Sequence, residues 1–177
     1  MAEHTQEWAG KERLFRLNFG AVLDLEEATG DGIATIFARV AGSRFMLKDV
    51  YHTIRLAMIG GGVSIIDAKR LMDGHFDTRP YMENAMLAGE ILAALMVGVE
   101  PAEREPETDG NGRYVFSEVS QICRVFNLSP LDLREMRYSD FVNMVRGFNA
   151  GSETKAAHIS EDEFIDILNR YEPEALQ

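Results

Sequence analysis

The chain has 177 residues, 46% of them hydrophobic, and carries 29 acidic against 18 basic side chains for a formal net charge of −11. That length and apolar content support a folded core, while the acidic excess repels polyanions and anionic lipid, so the expected partners are other proteins rather than nucleic acid or membrane. A single cysteine, Cys123, excludes an internal disulfide and a cysteine-based zinc site.

The N-terminus "MAEHTQEWAG" lacks the basic and apolar regions of a signal peptide. In "RLFRLNFG", Phe15, Leu17 and Phe19 alternate with Arg16 and Asn18, a period of two that predicts one short strand or extended arm. From Ala21 the period becomes helical. "AVLDLEEATG" stops at Gly30 and "DGIATIFARVAG" at Gly42, which predicts two short helices. "MLKDVYHTIRLAMIGGG" places Val50, Ile54, Ala57 and Met58 on one face and ends in Gly60, Gly61 and Gly62. "SIIDAKRLMDG" opens on Ser64 with Asp67 three residues later, a capping-box pattern, so the two segments are expected to form a helical hairpin about a glycine turn, with a positive φ at Gly61. "RPYMENAMLAGEILAALMVG" spreads Met82, Met86, Ile91, Leu92, Leu95 and Met96 around most of a helix, the pattern of a central buried element. Glu90 interrupts its apolar run, which is too short to cross a bilayer comfortably.

"VEPAEREPETDGNG" has prolines, glycines and acids without apolar periodicity and reads as a linker over 99–112. Helical patterns resume beyond it. "SEVSQICRVFN" aligns Val119, Ile122, Cys123 and Phe126; "SPLDLREM" sets Pro130 after a capping Ser129; "SDFVNMVRGFNAG" closes on glycine; and "SEDEFIDILNRY" begins with Ser160 and Glu163 as a capping box. The resulting division is a helical domain over 1–98, the linker, and a small helical module over 113–177. The fold class expected is mainly α: a small helical bundle with a short N-terminal strand or arm.

Candidate chemistry is sparse. Glu107, Asp109, Asn111 and Glu118 fall where a twelve-residue EF-hand loop places calcium ligands, with Gly112 at the turn. Glutamate stands where the shorter aspartate is needed, however, and Pro101 and Pro106 replace the entering helix. The bland reading is a turn, and a calcium-binding regulatory module is kept as the alternative function. "IGGGVS" lacks the preceding strand and the lysine of a phosphate loop, so Gly60, Gly61 and Gly62 read as a structural turn that lets two helices pack closely. His4, His52, His75 and His158 share no metal spacing, Cys123 sits among apolar neighbours as an inert thiol, and acids such as Glu26 and Glu27 read as caps or solvated faces. No metal, cofactor or catalytic residue is assigned, and no enzyme is expected. Tyr51 and Leu56 lie off the Val50 stripe and are the candidate aromatic and aliphatic anchors for a partner; the alternative is that both pack against the helix over Tyr81 to Val97, since buried helices often have wide apolar arcs.

In their order and spacing, "LNFGAVLDLEEATGDGIATIFARV", the helix around Asp49 and Val50, "MIGGGVSIIDAKRLMD" and "ENAMLAGEILAALMVG" resemble the tail assembly chaperone family of siphophages and gene transfer agents, over roughly Arg13 to Gly98. The resemblance implies a small protein of the bacterial host cytoplasm, absent from the finished particle, that holds the tape measure and tail tube proteins during tail construction. Self-association stays open. Tyr114 to Gly151 resembles the small companion chaperone of the same systems through "FNLSPLDLREM" and "YSDFVNMVRGF", with Arg134 and Arg137 standing where the companion has a tryptophan and a threonine.

Overall fold

A computed structural model of the chain describes residues 3–97 and 116–153. It divides into a unit over Met1–Asn143 and another over Met144–Gln177, and of the second the described residues are helical. The linker expected over 99–112 and the helix expected from Ser160 lie outside the described residues.

The fold is mainly α with a short antiparallel sheet, as the periodicities indicate. That sheet is a hairpin, β1 (Glu3–Trp8) and β2 (Lys11–Arg16), where one strand was expected. Its loop is Ala9 and Gly10, with φ of 55° and 71°, the two consecutive left-handed residues of a type I′ turn whose twist suits the strands. Only one side of β1 is held inward, by the buried Trp8, so "EHTQEW" carries too little apolar alternation to announce itself.

Helices follow as α1 (Phe19–Thr29), α2 (Ile33–Ala41), α3 (Leu47–Gly60), α4 (Ile65–His75), α5 (Tyr81–Met96), α6 (Phe116–Phe126), α7 (Pro130–Glu135) and α8 (Tyr138–Glu153). Their ends are chemically specified. The Asn18 side chain accepts from Ala21 N at 2.9 Å, Ser64 Oγ from Asp67 N at 3.1 Å, and Ser129 Oγ from Asp132 N at 3.1 Å. Two glycines do not stop helices as expected: α4 runs through Gly74 to His75, and α8 continues past Gly151.

The stretch from Leu25 to Ile33, central to the family resemblance, folds into one hydrogen-bonded corner between α1 and α2. Gly30 takes the left-handed conformation, φ 82°, that ends α1. Thr29 Oγ1 donates to Leu25 O at 2.8 Å, and Glu26 Oε1 accepts from Ile33 N at 2.9 Å, capping α2 from the preceding helix. Glu26 is therefore buried. It caps a helix, but not on the solvated face expected for it, because the donor it serves is itself internal.

α3 is the hub of the first unit. It packs against α1, α2, α4, α5 and β2, and buries Val50, Ile54, Ala57 and Met58 as its stripe indicates. α5, expected to be central, instead covers α2, α3 and the hairpin with one face formed by Ala85, Ala88, Leu92 and Leu95. Its opposite face holds Met82 and Met86 in solvent, 52% and 65% exposed. α7 packs on α1, where Phe19 N donates to Met136 O at 2.8 Å, Arg134 meets both Asp24 carboxylate oxygens at 2.8 and 2.9 Å, and Phe19 stacks on Phe141 at 3.9 Å.

The glycine turn has a different reason from the one expected. Gly61 has φ −80° and the positive φ, 100°, belongs to Gly62. Gly60 and Gly61 are needed for space. A Cβ on Gly60 would stand 2.2 Å from Arg16 O, and one on Gly61 1.8 Å from Leu14 O, so the end of α3 meets β2 backbone to backbone. Arg16 Nε closes the contact by donating to Gly60 O at 2.9 Å. The glycines thus seat a strand rather than a second helix.

Candidate partner-binding surface

Tyr51 and Leu56 share a helix but not an environment. Leu56 is 9% exposed and belongs to the core, which corrects its expected place on the surface: the buried arc of α3 extends over Thr53 and Leu56 because neighbours surround the helix on several sides. Tyr51 is half-buried and lines an open groove of about 320 Å³ between α3 and α4, with Leu47, Lys48 and His52 from α3 and Met72, Asp73, Phe76 and Asp77 from α4 and its end.

The groove has an aromatic floor. Tyr51 meets Phe76 edge to face at 5.3 Å and 82°, and His52 at 5.3 Å and 79°, while Tyr81 lies 5.9 Å from Phe76 on the other side. Leu47 at the rim is 47% exposed, its chain neighbour Met46 is exposed as well, and so is Tyr81 next to Phe76. The aromatic packing fixes the ring orientations before anything binds, so little rotamer freedom remains to be lost on binding. Sequence reading missed Phe76 because it ended the helix at Gly74; the available signal was a further apolar residue one helical turn after Met72.

Burial chiefly, and then the cations Arg55 and Lys48, hold His52 below its ordinary value near 6.5, against the weaker opposing pull of Asp49. The neutral ring is therefore favoured in the folded groove. A histidine depressed on folding contributes stability that is complete above about pH 6.5 and is lost as pH falls from there through its folded value. The melting temperature is expected to fall between pH 7 and pH 5, with a smaller fall in His52→Gln. Equal falls in the two proteins would show that the acid sensitivity arises elsewhere.

A second feature of the first unit is purely electrostatic support. Arg39 donates from Nε and Nη2 to both oxygens of Asp49 at 2.9 Å, and from Nη1 to Asp31 at 2.8 Å. Asp49 is fully buried and also accepts from Met46 N at 3.0 Å, which fixes the start of α3 where Leu47 and Tyr51 enter the groove. Lys48 Nζ donates to Thr29 O, tying the same turn to the α1–α2 corner.

Of the calcium-loop residues, Glu107, Asp109 and Asn111 lie outside the described residues, and Glu118 falls in the first turn of α6. Among the described residues no group of three or more histidine, cysteine or acidic side chains is placed to hold a metal, and no helix is long and apolar enough to cross a membrane.

Residues 1–98 match the family described as "Phage tail tube protein, GTA-gp10". No curated protein and no solved structure matches the chain.

Proposed function

We infer the function from the premise that the chain belongs to the phage tail tube protein, GTA-gp10, family, and so to the proteins of phage and gene transfer agent tails. Within that role we read it as a tail assembly chaperone of the host cytoplasm. It holds tail tube and tape measure proteins while the tail is built and is absent from the finished particle. The observation that carries this reading is the aromatic groove between α3 and α4, rimmed by exposed Leu47 on an acidic chain. A recess with a preformed aromatic floor and a mixed polar lining suits capture of an exposed client side chain, and the net negative charge limits self-association while the recess is empty. The reading gives the chain no catalytic step and no cofactor.

A second reading, favoured by the family's description, is a structural component of the tail tube. Particle composition separates the two. The chaperone reading expects the chain to co-purify with tail tube or tape measure protein of its own gene cluster before assembly and to be missing from purified particles. A stoichiometric share of the mature tail would replace it with the structural reading. Tyr51→Ala with Leu47→Ser is expected to weaken client capture by about tenfold without loss of helical content, because neither side chain is fully buried. Undiminished capture by this variant would remove the groove as the site.

A further inference from the structure

The two edges of the β-hairpin are treated differently. A two-residue loop makes Trp8 and Lys11 a hydrogen-bonded pair, after which bonded and non-bonded pairs alternate: Gln6 with Arg13 and His4 with Phe15 exchange bonds, while Glu7, Thr5 and Glu3 on β1, and Glu12, Leu14 and Arg16 on β2, turn their N–H and C=O groups outward. On β2 the outward carbonyls of Leu14 and Arg16 abut Gly61 and Gly60, so that edge is covered by the end of α3. On β1 the main-chain groups of Thr5 and Glu7 have no backbone partner among the described residues, and both residues are exposed.

Beside this open edge lies a recess of about 230 Å³. Gln6 and Trp8 of β1 form one wall, and Arg79 with Glu83, Met86, Leu87 and Glu90 of α5 form the other. His4, on the same face of the strand, meets Glu90 at 3.2 Å. An edge strand with unpaired main-chain groups and a side-chain pocket next to it is the arrangement that strand addition uses, the backbone supplying affinity and the pocket selecting alternate side chains. Met86, 65% exposed, and Leu87 offer the pocket an apolar contact. Glu3 and Glu7 flank Thr5 on the outer face of the edge strand, Glu3 meeting Arg16 at 3.6 Å, and in the recess Glu83 and Glu90 stand beside Arg79, which meets Glu83 at 3.2 Å; Glu7 and Glu90 are left without a lysine or arginine partner among these pairs.

We propose that β1 accepts an extended segment of a partner protein as a third strand, with apolar residues alternating into the Met86 recess and lysine or arginine between them. A second copy of this chain fits the edge less well. The antiparallel register that engages all of Glu3, Thr5 and Glu7 would set Glu3 opposite Glu7 twice, and like charges directly opposite destabilise a ladder. This site is separate from the α3–α4 groove and holds whatever the chain's role in the tail.

The test uses the full chain and an acetylated, amidated peptide Lys-Val-Lys-Val-Lys-Val-Lys. Trp8 is the sole tryptophan and lines the recess, so its emission reports occupancy directly. Saturable binding is expected, with slowed amide exchange at Thr5 and Glu7. It should weaken by about tenfold or more when glutamate replaces lysine in the peptide, when alternate peptide nitrogens are methylated, or in Thr5→Pro. Proline is tolerated there because the Thr5 N–H serves no bond to β2, so the variant should melt like the parent. The N-methylated peptide tests the same bond on the unaltered protein should Thr5→Pro misfold. Absence of saturable binding overturns the proposal, as does equal binding of the methylated or acidic peptide. A dimer in sedimentation that Thr5→Pro dissolves would overturn the assignment of a foreign strand.

Discussion

Gly61→Ala is expected to cost about 3 kcal/mol or more of folding stability, although it adds one methyl group at a residue with an ordinary backbone conformation. The added carbon would lie 1.8 Å from Leu14 O and 2.7 Å from the carbonyl carbon, and both are backbone atoms that no rotamer change can move aside. Relief requires β2 to withdraw from the end of α3. That withdrawal loosens Phe15, which is fully buried, and lengthens the bond from Arg16 Nε to Gly60 O. Since ~1 kcal/mol corresponds to roughly 2–4 °C in a protein of this size, the melting temperature should fall by on the order of 10 °C. Gly60→Ala should behave similarly, its Cβ meeting Arg16 O at 2.2 Å. Two further glycines calibrate the effect. Gly62→Ala forces alanine to φ 100° with no neighbour in the way and should cost only about 1 kcal/mol, whereas Gly74→Ala, helical and unobstructed, should be neutral or gain up to about 1 kcal/mol. Thermal melts of the four variants decide the matter: a Gly61→Ala protein as stable as Gly62→Ala would mean that the strand does not press on the helix end.

Arg39→Met should be nearly as damaging, by about 3–5 kcal/mol, because it keeps much of the side-chain bulk and leaves a fully buried carboxylate without its countercharge. Hydrogen bonding by Asp49, with Asp31 adding to it and burial opposing, holds the guanidinium above its ordinary range. A cation whose value rises on folding contributes stability that is complete below its unfolded value and is lost only as pH climbs through the folded one. That window lies in strong alkali, so the Arg39 contribution should not vary between pH 5 and 9. The double variant Arg39→Met with Asp49→Asn tests the cause. Removing the orphaned charge while keeping an oxygen for Met46 N should recover more than half of the loss, as read by chemical denaturation. No recovery would place the cost in packing around Arg39 instead.

The corner from Leu25 to Ile33 illustrates how residue type and spacing can define local structure without long-range information. Gly30 must end α1 because it alone adopts φ 82° without strain, and Ser64 and Ser129 cap their helices with donors three residues away. The core stripe Val50, Ile54, Ala57 and Met58 was legible for the same reason: a helical period repeats within a few residues. So was the presence of a chain turn at Gly60 to Gly62, though not its purpose.

Long-range packing decided the rest. Periodicity shows which residues are apolar and on which side they lie, but not how many neighbours a helix acquires, so Met82 and Met86 were expected in the core and stand in solvent, while Leu56, readable either as a partner anchor or as core packing, lies within. The same limit hid β1. Its register comes from the Ala9–Gly10 turn and its inward anchoring from the bond between Trp8 Nε1 and Asn84 Oδ1 at 3.1 Å, across a separation of 76 residues. The packing of α7 on α1 likewise brings Arg134 to Asp24 across 110 residues, a meeting that no local pattern announces. The position of Tyr51 off the α3 core stripe could be read from periodicity, but the groove that it lines required Phe76 and Met72 to arrive from another helix. By itself the sequence determined the helices, their caps and the corner between α1 and α2, because those interactions close within about one or two turns of chain. Only the tertiary structure decided which faces are covered and which edge of the hairpin stays open, because both depend on surfaces that meet after the chain has folded back on itself.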